Sequence, residues 1–237
     1  MVEPQVLKKD GYRILYDAEL VIAPSPQLFD LKYLAQKGAI DQPLGGRGSC
    51  YFIAADGQDR VLRHYRRGGL VGKVIFDQYF GWSTEMSRSW REWRLLWLLY
   101  TEGFPVPRPV AAGMCQSFCY YRADLITVQI PGAQTLAESL IKGELSADIW
   151  RSVGHCIKSF HERGVYDADL NAHNILLGYE DKVFLLDFDR CRLREDGIWR
   201  QENLQRLQRS LLKLNKKNET FGFNETAWQF LLSGYSA

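Results

Sequence analysis

The chain has 237 residues, 46% of them hydrophobic and 24% charged, which is enough apolar material for one large domain or two small lobes and excludes a disordered chain. Against 30 Lys and Arg stand 28 Asp and Glu, so the net charge is only +2 and any attraction to anionic partners has to come from local patches. The longest apolar run, 95–100, is far too short to cross a bilayer and no charged-then-apolar leader opens the chain, so a cytoplasmic or peripheral protein is expected.

The first forty residues mix Pro24-Ser-Pro26 with short apolar clusters, and 26–36 reads as a helix carrying Leu28, Leu31 and Leu34, part of an N-terminal extension packed on a lobe. Next comes a glycine turn, 44–54, running into a β-rich segment. Gly46 and Gly48 have the G-x-G spacing that lets a loop fold over nucleotide phosphates, but no third glycine follows and most such turns are only hairpins, so the motif gains weight only beside a basic residue on the next strand, Arg63, and a helix with an acid soon after. Asp56-Gly57 predicts a hairpin turn. The strand returns over 60–65, with Val61, Arg63 and Tyr65 on one face and Leu62 and His64 on the other.

The spacing of Trp90, Trp93, Trp97 and Tyr100 predicts a helix over 83–100 whose aromatic stripe is core, with Glu92 beside it and able to pair with a strand cation. Arg60, Arg63, Arg66, Arg67, Lys73, Arg88, Arg91 and Arg94 crowd this region. Such a run is either a solvated face or a patch that meets an anionic substrate or membrane. No nucleic-acid-binding motif accompanies it, so no nucleic-acid partner is expected.

Proline at 105, 107 and 109 makes 104–110 an extended connector. A strand pair over 113–121 and 123–130 follows, broken by Pro131-Gly132, then helices over 135–141 and 146–163, with Ser146 as N-cap and Gly164 as stop. Asp169 and Asn174 then stand five apart, and an apolar run leads to Asp187. In kinase catalytic loops an Asp accepts the substrate hydroxyl proton, an Asn five residues on binds magnesium, and a second magnesium ligand ends a short apolar strand. The 50 residues after Asp187 read as helices over 198–215, which is basic, and 225–233, with no Ala-Pro-Glu segment and no peptide-docking platform. Five cysteines without CxxC spacing read as reduced thiols, and four histidines without HExxH spacing leave no metal site beyond the carboxylates. His155 and His161 fall on different faces of their helix.

The stretches Tyr166-Asp-Ala-Asp-Leu-Asn-Ala-His-Asn-Ile-Leu176 and Val61-Leu-Arg-His-Tyr-Arg-Arg-Gly-Gly-Leu70 resemble the 3-deoxy-D-manno-octulosonic acid (Kdo) kinases of Gram-negative bacteria, relatives of the heptose kinases within the protein-kinase-like superfamily. The likeness covers roughly 45–189. It implies an α+β, two-lobed protein-kinase-like fold, with an N-terminal extension and β-rich nucleotide-binding lobe over 1–130 and a reduced, mostly helical catalytic lobe over 131–237. The implied reaction is ATP-dependent phosphorylation of the 4-hydroxyl of Kdo on Kdo-lipid A, the lipopolysaccharide inner core, by a peripheral protein on the cytoplasmic face of the inner membrane and its anionic surface. By motif position Asp169 would be the base, and Asn174 and Asp187 would hold Mg2+. Arg63 would contact nucleotide phosphates with Glu92 orienting it, Gly46, Gly48 and Ser49 would cover those phosphates, and the segment 126–131, with Ile130, would line the adenine pocket.

Four positions depart from the superfamily pattern. Asp167 replaces the usual His, Asn171 replaces the Lys that protein kinases carry two residues after the base, Asp189 replaces the turn glycine, and Arg63 replaces the strand Lys, a swap that is not neutral because a guanidinium forks its charge. A kinase of another sugar or small molecule, a protein kinase and a non-catalytic nucleotide binder are the competing readings, and the sequence leaves the oligomeric state open.

Overall fold

The computed structural model describes residues 3–43, 50–54, 57–65, 79–80, 87–117, 120–218 and 220–237. The chain forms two compact units, Met1–Leu98 with Pro107–Gln129, and Leu99–Val106 with Ile130–Ala237. The fold is α+β: the first unit is built on a sheet, the second on helices.

In the first unit, strands β1 (Gln5–Lys9), β2 (Tyr12–Tyr16), β3 (Ile40–Pro43), β4 (Cys50–Ile53), β5 (Arg60–His64), β6 (Tyr79–Phe80), β7 (Pro109–Ser117) and β8 (Tyr120–Val128) make one antiparallel sheet. The order is β1-β2-β7-β8-β5-β4-β3, with β6 also on β8. The N-terminal residues are therefore two strands of the sheet, where the sequence suggested only an extension. β1 is an edge strand whose residues are almost all exposed, so its sequence lacks the apolar alternation that marks a half-buried strand. Ile14, Val21, Phe29, Leu62, Val110 and Ile126 form the core against this sheet.

The helix expected over 26–36 breaks at Asp30. A 3-10 turn, Pro26–Phe29, precedes it, and the Asp30 carboxylate accepts from the Lys32 and Tyr33 amides (2.9 and 3.3 Å), capping α1 (Leu31–Gln36). The strand pair expected over 113–121 and 123–130 is β7 and β8, whose register sets Ser117 opposite Tyr120, so residue 122 lies inside the second strand. Arg122 is only an outward position between buried Tyr121 and Ala123 in a continuing strand. Helix α2 (Arg88–Thr101) has Trp90, Trp93 and Leu96 buried and Trp93 stacked on Trp97 at 5.1 Å, so the aromatic stripe is core. Residues 81–86, expected to begin this helix, lie outside the described ones. Ser89 Oγ donates to the Gly113 carbonyl of β7 at 3.0 Å.

In the second unit, β9 (Gln134–Thr135) leads into α3 (Leu136–Lys142), where Thr135 and Glu138 form a reciprocal capping box. Ser146 Oγ accepts from the Ile149 amide at 3.3 Å and caps α4 (Ala147–Glu162). Gly164 ends that helix at φ +82°, a left-handed conformation that a side chain would strain. His155 is exposed and His161 buried, on opposite sides of α4. Strands β10 (Val165–Asp167), β11 (Ile175–Leu177), β12 (Val183–Leu185) and β13 (Cys191–Leu193) follow, β11 pairing with β12 and β9, and β10 with β13. Helices α5 (Trp199–Asn215) and α6 (Glu225–Ser236) complete the unit, α6 running three residues past its expected end.

The segment Leu99–Val106 belongs to this unit by its contacts: Phe104 packs on Phe160 at 5.0 Å, Pro105 O accepts from Leu185 N at 3.1 Å, and Glu102 holds Arg163 bidentately at 2.6 and 2.7 Å. Among the described cysteines, Cys115 and Cys156 are free thiols, and burial pushes Cys156 up to about 12.

Candidate active site

In the first unit, β5 alternates: Leu62 is buried in the core while Arg63 points to the other side and stays half-buried. There its Nη2 donates to the Glu92 carboxylate of α2 and, at 2.9 Å, to the Tyr65 hydroxyl, which itself donates to Glu92. Burial comes first in raising the Tyr65 hydroxyl well above its ordinary pKa, so it stays a donor to the carboxylate. The Arg63 guanidinium also lies over the Tyr65 ring at 4.7 Å. A three-residue clamp thus fixes one cation on a strand face. Glu92 is 3% exposed, and Arg63 answers the cost of burying its charge.

Gly46, Gly48 and Ser49 lie outside the described residues. Ile130 is half-buried and is the first residue of the second unit after β8, its carbonyl receiving the Ala133 amide at 3.5 Å.

In the second unit, β10 ends at Asp167 and β11 begins at Ile175, and the loop between them is pinned by buried Leu170 and Ala172. Its polar groups hold one another. Asp167 Oδ1 accepts from the Asp169 amide at 2.7 Å. Asn171 Nδ2 and Asn174 Nδ2 both donate to the Asp169 carbonyl, at 2.7 and 3.1 Å, and Asn171 Oδ1 accepts from His173 N at 2.9 Å. The Asp169 backbone is therefore gripped from three sides while its side chain, 42% exposed, projects outward. Asp167 is buried, and that burial pushes its carboxyl up to about 7, opposed by the Asp169 amide and Cys191 and reinforced by the charges of Asp187 and Asp169. The residue that takes the place of the usual loop histidine is thus a backbone-bracing carboxyl.

Asn174 immediately precedes β11 and Asp187 lies two residues beyond the paired strand β12, and the Leu186 amide donates to the Asn174 carbonyl at 2.8 Å, so Asp187 follows directly on the contact between the two segments. Asp187 has φ +62° and ψ +67°, a left-handed conformation that costs a non-glycine residue about 1 kcal/mol and that clusters at functional sites. Asn174 uses its Nδ2 on Asp169, which leaves Oδ1 as an acceptor. One amide oxygen and one carboxylate fit a small hard divalent ion that takes its remaining ligands from phosphates and water.

What the carboxylate of Asp169 touches is not legible in the sequence. Arg206 Nη2 of α5 donates to Asp169 Oδ1 at 2.8 Å. Three residues earlier Asn203, 2% exposed, accepts from the Asp167 amide at 3.2 Å, and four residues later Ser210 Oγ accepts from Ala172 N at 3.5 Å. One face of α5 therefore docks on the Asp169 loop at three points. Behind it, Asn203 hydrogen-bonds His161, and His161 Nδ1 meets Tyr235 Oη at 2.9 Å. The signal available in the sequence was Asn203, an amide set directly before Leu204 in a helix whose Leu204, Leu207 and Leu211 are buried.

An acid on a braced loop, an amide five residues on, a left-handed acid at the end of the next strand and a strand-helix ion pair define a protein-kinase-like phosphotransferase with a hydroxyl acceptor. The family model described as "Lipopolysaccharide kinase (Kdo/WaaP) family" matches residues 32–235. A 3-deoxy-D-manno-octulosonic acid kinase of Vibrio vulnificus is 38% identical over 237 residues, covering 100% of this chain and 99% of the relative. The proteins of that name from Vibrio parahaemolyticus (40% over 200 residues, 84% of each chain) and Mannheimia succiniciproducens (41% over 220 residues, 90% of this chain and 91% of the relative) are also similar. The chain belongs to the lipopolysaccharide kinase (Kdo/WaaP) family.

Proposed function

We infer that this protein transfers the terminal phosphoryl group of ATP to the 4-hydroxyl of Kdo on Kdo-lipid A, working as a peripheral protein at the cytoplasmic face of the inner membrane. The observation that carries the reaction is the Asp169 loop, a carboxylate held outward by backbone bonds to Asp167, Asn171 and Asn174. The Kdo acceptor follows from the names of the relatives, which match this chain nearly end to end. None of the described helices is long and apolar enough to cross a membrane.

Phosphoryl transfer asks for positioning and charge neutralisation, with little covalent work from the protein. Asp169 orients the acceptor hydroxyl and takes its proton as the oxygen bonds to phosphorus. The sequence 1–130 serves as the nucleotide-binding lobe and 131–237 as the catalytic lobe. In the first, Arg63, oriented by Glu92, meets ATP phosphates, assisted by Gly46, Gly48 and Ser49; Ile130 borders the adenine. In the second, Asn174 and Asp187 would hold Mg2+, which when bound neutralises the phosphate charge.

The test is phosphate transfer from ATP to Kdo-lipid A by the purified protein, with mass analysis of the glycolipid. One added phosphate on the Kdo is expected, and Asp169→Ala should lower kcat by about a thousandfold or more while the chain stays folded, because the side chain is exposed. Phosphorylation of a heptose-bearing core with none on Kdo would overturn the acceptor, and near-normal turnover of Asp169→Ala would overturn the base.

A further inference from the structure

Helix α5 carries cations at Arg206, Arg209, Lys213 and, at its C-cap, Lys216, spaced three, four and three residues apart. That spacing sets them along one side of the helix over about 15 Å. The buried side of α5, Leu204, Leu207 and Leu211, faces elsewhere. Arg209, Lys213 and Lys216 are exposed, and no ion pair joins them to an acid among the described residues. A row of cations on a helix is by itself an ordinary solvated face. What separates this one is its first member, which donates to the Asp169 carboxylate at 2.8 Å and so stands where the acceptor hydroxyl has to arrive. The helix is fixed in that position by Asn203 and Ser210, which bond the loop on either side of Asp169.

We propose that the Arg206, Arg209, Lys213, Lys216 row is the acceptor-binding track, which takes the anionic groups of a carboxylate-bearing sugar on an anionic lipid. This rests on the Kdo kinase reading above. Arg206 is the discriminating member. A guanidinium has donors on two edges, so it keeps one on Asp169 and offers the others to the carboxylate of the sugar whose hydroxyl Asp169 receives. The following cations meet charges further along the lipid headgroup. The row also accounts for a peculiarity of the loop: Asn171 stands where protein kinases carry a lysine, and its amide is committed to the Asp169 carbonyl, so the charge beside the base comes from α5.

The experiment uses the full chain, Kdo-lipid A micelles and two readouts: equilibrium binding of the micelles without ATP, and steady-state kinetics. Arg209→Gln with Lys213→Gln should weaken micelle binding and raise the acceptor KM roughly fivefold, and flatten the salt dependence, with the KM for ATP unchanged. Arg206→Gln should raise the acceptor KM further, and Arg206→Lys should recover part of it. Lys8→Gln with Lys9→Gln, equally exposed cations on β1, is the control expected to have no effect. Equal losses in the control, or unchanged micelle binding in the α5 double variant, would overturn the track. A fall in kcat alone for Arg206→Gln would make that residue a positioning group for Asp169 and overturn its part in acceptor recognition. Binding that depends on the row without any transfer to Kdo would leave the track standing and overturn the Kdo kinase reading; transfer with row-independent binding would do the reverse.

Discussion

Asp167 shows how a carboxyl holds the Asp169 loop at a position where protein-kinase-like enzymes commonly carry a histidine. A histidine at this position would support the loop through its ring; the carboxyl does it by accepting the Asp169 amide at 2.7 Å while its own amide donates to Asn203. A buried amide left without its acceptor costs about 1–3 kcal/mol. Asp167→Ala should therefore loosen the base and lower kcat by about ten- to a hundredfold, whereas Asp167→Asn, which keeps an acceptor oxygen, should stay within about tenfold of the native enzyme. Equal losses in both, measured as kcat with melting temperature as control, would show that the charge and not the hydrogen bond matters. At this scale the sequence was readable only where the chemistry is local. Asp169 and Asn174 are five residues apart and could be seen on the same loop. Arg206 lies 37 residues beyond Asp169 on a helix, and only folding brings the two together.

Helices α4 and α6 meet through glycine on both sides. A Cβ on Gly154 would stand 2.0 Å from the Leu231 carbonyl oxygen, and one on Gly234 would stand 2.1 Å from that of Arg151, so each helix approaches the other's backbone. Alanine would gain about 1 kcal/mol of helix propensity at either position, but overpacking against backbone that cannot move aside costs about 3 kcal/mol or more. Gly154→Ala should lower the melting temperature by roughly 4–8 °C. Gly197→Ala, where the nearest atom is the Trp199 ring edge at 3.4 Å, should lower it little, and equal shifts would show that the crossing is looser than drawn. His161 sits in the same assembly, and its pKa is lowered to about 4, first by burial and then by Arg200. The unfolded chain takes that proton near pH 6.5, the native one only near 4, so this group's contribution is intact above 6.5 and is lost as pH falls to 4, by up to about 3 kcal/mol. Chemical unfolding of His161→Gln should show a shallower loss of stability between pH 6.5 and 4 than the native protein; parallel curves would place the acid sensitivity elsewhere. The helices themselves were legible, since Ser146 and Gly164 announce the ends of α4. The string from Tyr235 through His161 and Asn203 to Asp167 was not, because each member is a lone polar residue in its own helix or strand and periodicity carries no record of which helices pack.

For the molecule as a whole, the proposed phosphate contact Arg63 lies in the sheet unit and the proposed magnesium ligands Asn174 and Asp187 lie in the helical unit, and ligand binding tests both roles without turnover. A ligand that binds only the native state stabilises it by about 2.7 kcal/mol at a hundred times its Kd, which for a chain of this length raises the melting temperature by roughly 5–10 °C. If Asn174 and Asp187 hold magnesium, ATP with magnesium should give the full rise and ATP with a chelator much less. Asp187→Asn should reduce the magnesium-dependent part to the chelator value, because a neutral amide on that strand end is a poorer ligand for a hard divalent ion. Asp169→Ala should keep the full rise, since the base is not a ligand, and this contrast separates loss of metal from general damage to the catalytic loop. Arg63→Met should weaken the shift with and without magnesium, as expected of a cation that meets the phosphates directly. A full magnesium-dependent rise in Asp187→Asn would move the ligand role to another oxygen, with Asp189, two residues on in the same 3-10 turn, the first to test by the same measurement.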